Sequence, residues 1–315
     1  MLPIPDVIQT YLDYAAPWIA LWVGGVLLDA VFGGPRALGM VPSLDAIITR
    51  SVHFLQAKLE RRNRSRRAHY WRGALAVIIL VAGFAVMGFW IDQWVFYHPV
   101  LTAVAVFFVA KILSLKLAWQ HMRKALVSVS GSSGSGNSQC RALARRSIEL
   151  FTNKFVPAAV FLVAGGFTFL LPLVCLQTAS NAAEKSDGES FFLRPFQLLE
   201  SVVTVPGKII GTCMLAIALL LWPAANWSHG WLSAFRFGPS VSLWSITIVA
   251  YAFNWSFERG GTHQPRPDKQ GWIGPVHGSA QLKPADVKNA LIVALIAFGV
   301  TNALMGLLWL AAVIG

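Results

Sequence analysis

Gly73-Ala74-Leu75-Ala76-Val77-Ile78-Ile79-Leu80-Val81-Ala82-Gly83-Phe84-Ala85-Val86-Met87-Gly88-Phe89-Trp90 is a continuous apolar run without a charge. A helix of about 20 such residues matches the hydrocarbon thickness of a bilayer. The run has no apolar–polar alternation, so it does not read as a barrel strand. Apolar segments recur on either side of it, at 16–32, 100–117, 155–176, 209–222, 240–257 and 289–314. The reading is an all-α, polytopic helical membrane protein with about 5–7 hydrophobic segments and a surface amphipathic helix, because lipid forces the backbone to satisfy its own hydrogen bonds. A single integral membrane domain is expected over 1–315.

Composition agrees. Of 315 residues 56% are hydrophobic and only 13% charged, against about 25% charged in soluble domains; mean hydropathy is +0.58. The net charge of +12 comes from 26 basic and 14 acidic residues. The basic residues flank apolar segments, so they point to topology signals and contact with a bilayer carrying anionic headgroups, not to nucleic acid. Cys140, Cys175 and Cys213 are scattered and form no metal-ligand spacing. The N-terminus has no basic region and no small-residue cleavage site, so the first span is expected to stay in the membrane.

Between the first two spans lies the basic segment 36–72, whose middle, Leu44 to Leu59, has apolar residues at helical spacing and reads as an amphipathic surface helix. A Gly/Ser loop at 128–140 has flexible-linker composition and lacks the Lys-Ser/Thr of a phosphate loop. An acidic loop covers 178–208 and a basic Pro/Gly-rich loop 258–288. Positive-inside logic places 36–72 and the Gly/Ser loop on the cytoplasmic side. Segment 209–222 is short for a span, and whether it crosses or re-enters decides the side of the 258–288 loop.

The polar residues form no nucleophile elbow, His-Glu-x-x-His or Walker sequence. Asp29 stands out within Leu27-Leu28-Asp29-Ala30-Val31-Phe32-Gly33-Gly34-Pro35. A carboxylate at that depth costs about 2.5–3.5 kcal/mol on insertion scales and requires a partner or a site. The expected partner is a bundle residue such as Lys111, or a helix N-terminus.

The order of motifs resembles the CobD/CbiB family along nearly the whole chain. Leu28-Asp29 with Gly33-Gly34-Pro35 is similar to that family's Leu-Asp followed by Gly-Asp-Pro, the second acid replaced by Gly34. Val41-Pro42-Ser43 stands at a His-Pro-Val position, and Ser114-Leu115-Lys116-Leu117-Ala118 resembles Ser-Leu-x-x-Ala. Glu149-Leu150-Phe151-Thr152-Asn153-Lys154, ahead of Pro157 and Gly165-Gly166, resembles Glu-Asn-x-x-Asp-Gly. Gln177-Thr178 with Ser180, Glu200 with Pro206 and Lys208, Pro239-Ser240 with Ser245, and Trp272-Ile273-Gly274-Pro275 stand at the later motifs. Family members are inner-membrane proteins of cobalamin biosynthesis. They join aminopropanol or its phosphate to adenosylcobyric acid through an amide.

The resemblance implies ATP and Mg2+ as cofactors and a corrinoid as substrate if the activity is retained. It leaves Glu149, Glu200 and Asp29 as the catalytic remnants, and Asn153, Gln177, Thr178, Lys208, Trp272 and Gly274 as substrate-binding positions; it supplies no complete metal-ligand set. Backbone-shaping positions are kept while most acids are replaced, and Asn153, Ser180, Ser245 and Pro275 cannot serve as anionic ligands. Two readings follow. One is a family ligase of the bacterial inner membrane, impaired or inactive. The other is a non-catalytic scaffold or accessory subunit of a larger membrane complex; the distantly similar AmpE proteins imply that such a fold need not mean cobalamin. A transporter is disfavoured, since paired broken helices in matching halves are not apparent.

Overall fold

The computed structural model describes residues 6–32, 44–59, 65–130, 136–185, 191–237, 241–258, 272–275 and 277–314. Gly33-Gly34-Pro35, Val41-Pro42-Ser43, Arg61–Arg64, the Gly/Ser core 131–135, Asp187 and Glu189, and 259–271 of the basic loop lie outside the described residues.

The helices are α1 (Asp6–Phe32), α2 (Leu44–Leu59), α3 (Arg66–Trp94), α4 (Pro99–Leu113), α5 (Leu115–Ser130) and α6 (Gly136–Glu149). A π-helical turn (Leu150–Phe155) leads into α7 (Val156–Lys185), α8 (Arg194–Val203), α9 (Val205–Leu221), α10 (Trp227–Phe237) and α11 (Val241–Phe253). Two-residue strands β1 (Phe257–Glu258) and β2 (Trp272–Ile273) pair antiparallel before α12 (Pro284–Ile314). Among the described residues five stretches are long and apolar enough to cross a membrane: Gln9–Val31, Arg66–Val95, Pro99–Val129, Asn137–Ala182 and Pro284–Ile314. A sixth results if α8 and α9, which meet at Thr204, count as one broken span. The protein is therefore all-α and polytopic. Leu75, Ile78, Val86, Phe89 and Trp90 of α3 are exposed, as a lipid-facing helix requires.

The chain divides into two compact units. The first comprises Met1–Lys116, Ala158–Val205 and Met305–Gly315. In it α1 packs along α4, and α3 packs against α2 and α8. Gly24 and Gly25 of α1 meet Val106 and Val109 of α4. Small residues let membrane helices approach closely where no hydrophobic effect drives them together. Trp18 is buried at the centre, edge-on to Phe96 (4.8 Å) and Phe167 (6.3 Å). The helix α2 buries Ile48 and Val52 and exposes Ile47 and Phe54, with Lys58 over the Phe54 ring. Arg72 of α3 caps its end by donating to the Leu59 carbonyl (2.7 Å).

The second unit comprises Leu117–Pro157 and Pro206–Leu304. Here α10 and α11 form a close hairpin, tied by the Asn226 N–H donating to the Ala252 carbonyl (2.9 Å). Helix α9 lays Gly207 on Pro157 and Gly211 on Thr152, a small-xxx-small contact. Phe298 of α12 packs on Phe155 (4.4 Å).

Two expected continuous spans are broken. The 100–117 segment ends as α4 at Leu113, and Ser114 takes a left-handed conformation (φ 40°) before α5 starts. The 155–176 segment is interrupted inside α7, where Gly165 and Gly166 leave helical geometry. The acidic 178–208 segment is largely helical, because α7 continues to Lys185 and α8 starts with Arg194-Pro195 over buried Leu193 and Phe196. Its ends also meet the start of the bundle: Thr178 donates to Asp45 of α2 (2.9 Å), and Phe192 lies on Gly73 of α3.

Candidate functional site

Two carboxylates of the first unit, Asp29 and Asp92, act at its two helix breaks. At the first, Asp29 in the last turn of α1 accepts from the Lys116 backbone N–H through Oδ2 (3.1 Å). The left-handed Ser114 turns the chain so that this amide, in the first turn of α5, faces α1. The Lys116 ammonium donates back to the carbonyls of Ala30 (3.0 Å) and Val31 (2.9 Å). Each helix end supplies what the other lacks, acceptors for orphan amides and a donor for orphan carbonyls. The expectation of a helix N-terminus for Asp29 is met, through Lys116 at the α4–α5 break. Asp29 is only 3% exposed, and its Oδ1 is buried without a hydrogen-bond partner.

At the second break, Asp92 of α3 reaches the restarted helix of α7. Its Oδ1 accepts from the Phe167 N–H (2.8 Å), and its Oδ2 from the Thr168 N–H (2.8 Å) and hydroxyl (2.6 Å). This is an N-cap supplied from 75 residues away. Gly166 has φ 63°, which only glycine adopts at little cost. A Cβ there would also lie 2.7 Å from the Trp18 ring and 2.8 Å from both Asp92 oxygens. A restarted membrane helix ordinarily offers its N-terminus to an anionic ligand; here the carboxylate of the protein itself occupies it.

The second unit holds the segment that starts at Glu149. Glu149 ends α6 and takes the Arg145 guanidinium at 2.7 Å. The π-helical turn that follows carries Asn153, half-buried, and Thr152, buried, whose hydroxyl lies 3.0 Å from the Ile148 carbonyl and 3.4 Å from Ser245 Oγ. Lys208 of α9 is buried, and its carbonyl accepts from Thr212. Trp272 of β2 lies under the Arg141 guanidinium (5.2 Å), which also donates to the Ala280 carbonyl (2.6 Å). Gly274 has φ 135° and abuts the Trp255 carbonyl.

The expected catalytic and substrate residues thus divide. Asp29, Gln177, Thr178 and Glu200 belong to the first unit; Glu149, Asn153, Lys208, Trp272 and Gly274 belong to the second. Gln177 and Thr178 are half-buried on α7, and Glu200 is half-buried on α8, its carbonyl accepting from Thr204. Among the described residues no three His, Cys, Asp or Glu side chains come together as metal ligands. Magnesium bound with nucleotide takes one or two carboxylates plus phosphate oxygens. Glu149 is held by a guanidinium, and Asp29 is enclosed and engaged by an amide. Those two acids do not fit a carboxylate-held magnesium–ATP complex.

The sequence motifs assign no role to Asp92, which the structure places in the last turn of α3. The available signal was a carboxylate closing the apolar run Gly88-Phe89-Trp90-Ile91-Asp92, with a Gly-Gly pair inside another apolar run. Comparison with protein-family models, with curated proteins and with solved structures found no match to this chain.

Proposed function

We propose that this chain is a non-catalytic, CobD/CbiB-like protein of the bacterial inner membrane that serves as a scaffold or accessory subunit of a larger membrane complex. The observation that carries the reading is the engagement of two of the three surviving acids. Asp29 joins two helix ends and Glu149 pairs with Arg145, so neither is free to hold a hard cation or to take a proton from an attacking ammonium. The family-like positions that remain are those with backbone duties, such as the Gly165-Gly166 break and Gly274. The basic segments flanking the spans support the inner-membrane assignment.

One observation favours the ligase reading: the buried Asp29 Oδ1 has no partner among the described residues. Calorimetric titration of the purified protein with ATP-Mg2+ and with adenosylcobyric acid separates the two. Binding of neither is expected. Binding of both, with amide formation on addition of aminopropanol phosphate, abolished by Glu149→Gln, would overturn the scaffold reading.

A further inference from the structure

We propose that Arg66 of α3 and Arg194 of α8, which both lie against Phe191, together with the exposed Arg67 beside Arg66, hold the phosphate of an anionic phospholipid at the membrane surface.

The site lies within the first unit. Arg66 and Arg194 come from separate helices, yet both guanidiniums lie against one ring, at 5.2 Å and 5.4 Å from the Phe191 centroid. All three arginines are exposed. Neither α3 nor α8 carries an acid in its first turn, and among the described residues none of the three arginines has an ion-pair partner. Asp187 and Glu189, upstream of Phe191, lie outside the described residues, and the site is built without them. Like charges gathered this way repel, and a phosphate relieves the repulsion while giving guanidiniums their preferred bidentate partner.

The turn is held in place beforehand. The Phe192 carbonyl rests on Gly73 of α3, where a Cβ would collide with it, and Phe192, Leu193, Pro195 and Phe196 are buried. Arg194 therefore projects from an anchored segment.

The surroundings select a lipid over a soluble anion. Tyr70 and Trp71 follow Arg66 on α3, and Trp71 is 68% exposed. Tyr and Trp settle at the headgroup level of a bilayer, which puts Arg66, about 7 Å further along the axis, in the phosphate layer. Beyond Trp71 the exposed side chains include Leu75, Ile78 and Ile79, and α8 presents Leu198, Leu199 and Val202. Phosphate ligands thus stand next to an apolar surface suited to acyl chains.

The test uses the purified protein in neutral detergent, read by native mass spectrometry during titration with dioleoylphosphatidylglycerol or dioleoylphosphatidylcholine. The expected result is retention of phosphatidylglycerol over phosphatidylcholine. Arg66→Gln with Arg194→Gln should cut that preference about tenfold or more. Arg123→Gln with Lys124→Gln, the same charge change at exposed positions of α5, should leave it intact. If the double variant fails to fold, Arg194→Gln alone carries the test with about a fivefold loss. Equal retention of the two lipids, or equal loss in the α5 variant, would overturn the proposal. Displacement of the lipid by millimolar inorganic phosphate would overturn it in favour of a soluble anion.

Discussion

Asp92→Ala should release the restarted helix of α7. The carboxylate accepts three hydrogen bonds, from two backbone amides and one hydroxyl, at 2.6–2.8 Å. Each is worth about 1 kcal/mol net, more with an ionised acceptor, and an N-cap substitution alone costs about 0.5–2 kcal/mol. Asp92 is half-buried, so water can recover part of the loss. The expected destabilisation is about 2–3 kcal/mol. It can be measured by unfolding in mixed micelles with rising dodecyl sulfate, followed by circular dichroism. Thr168→Val removes only the hydroxyl donor and should cost about 1 kcal/mol in the wild type but little in the Asp92→Ala background. Asp13→Ala, whose carboxylate takes one 3.3 Å bond from Gln9 at an exposed site, should stay within about 0.5 kcal/mol. A wild-type midpoint for Asp92→Ala, or strict additivity with Thr168→Val, would refute the capping argument.

Two glycines of one helix should separate sharply. A Cβ at Gly88 meets the Phe167 carbonyl, whereas a Cβ at Gly83 meets nothing within 4 Å. Gly88→Ala should therefore cost more than about 2 kcal/mol and Gly83→Ala be neutral or stabilising by up to about 1 kcal/mol, in the same unfolding assay. Lys116→Met keeps the amide that donates to Asp29 but loses the two carbonyl contacts of the ammonium; a loss of about 1–2 kcal/mol is expected in the same unfolding assay. Glu149→Gln breaks a partly exposed i,i+4 pair and should change stability by no more than about 0.5 kcal/mol.

The apolar runs were legible because a bilayer imposes their length and charge content. The 73–90 run became α3, and the periodic pattern from Leu44 to Leu59 became α2 with its stated ends. Asp29 was legible as a costly carboxylate needing a partner, and the class of that partner followed from physics. Which amide it would be did not, because Lys116 is 87 residues away. Counting one crossing per apolar run sets the acidic 178–208 segment across the membrane from 36–72. The break at Gly165-Gly166 defeats that count, and Thr178 and Phe192 meet Asp45 and Gly73 instead. A Gly-Gly pair in an apolar run permits continuous helix or interruption alike, so local pattern does not choose between them.

The sequence by itself determined that this protein is a bundle of membrane helices, because hydrocarbon admits no other backbone for long uncharged runs. Only the tertiary structure decided where the helices stop and restart, and what closes each end. Asp29 stands out in the sequence and Asp92 does not, yet both cap helices far along the chain. Orphan amides at a helix break must be satisfied within the protein when lipid offers no acceptor, and which side chain comes near enough is a property of packing.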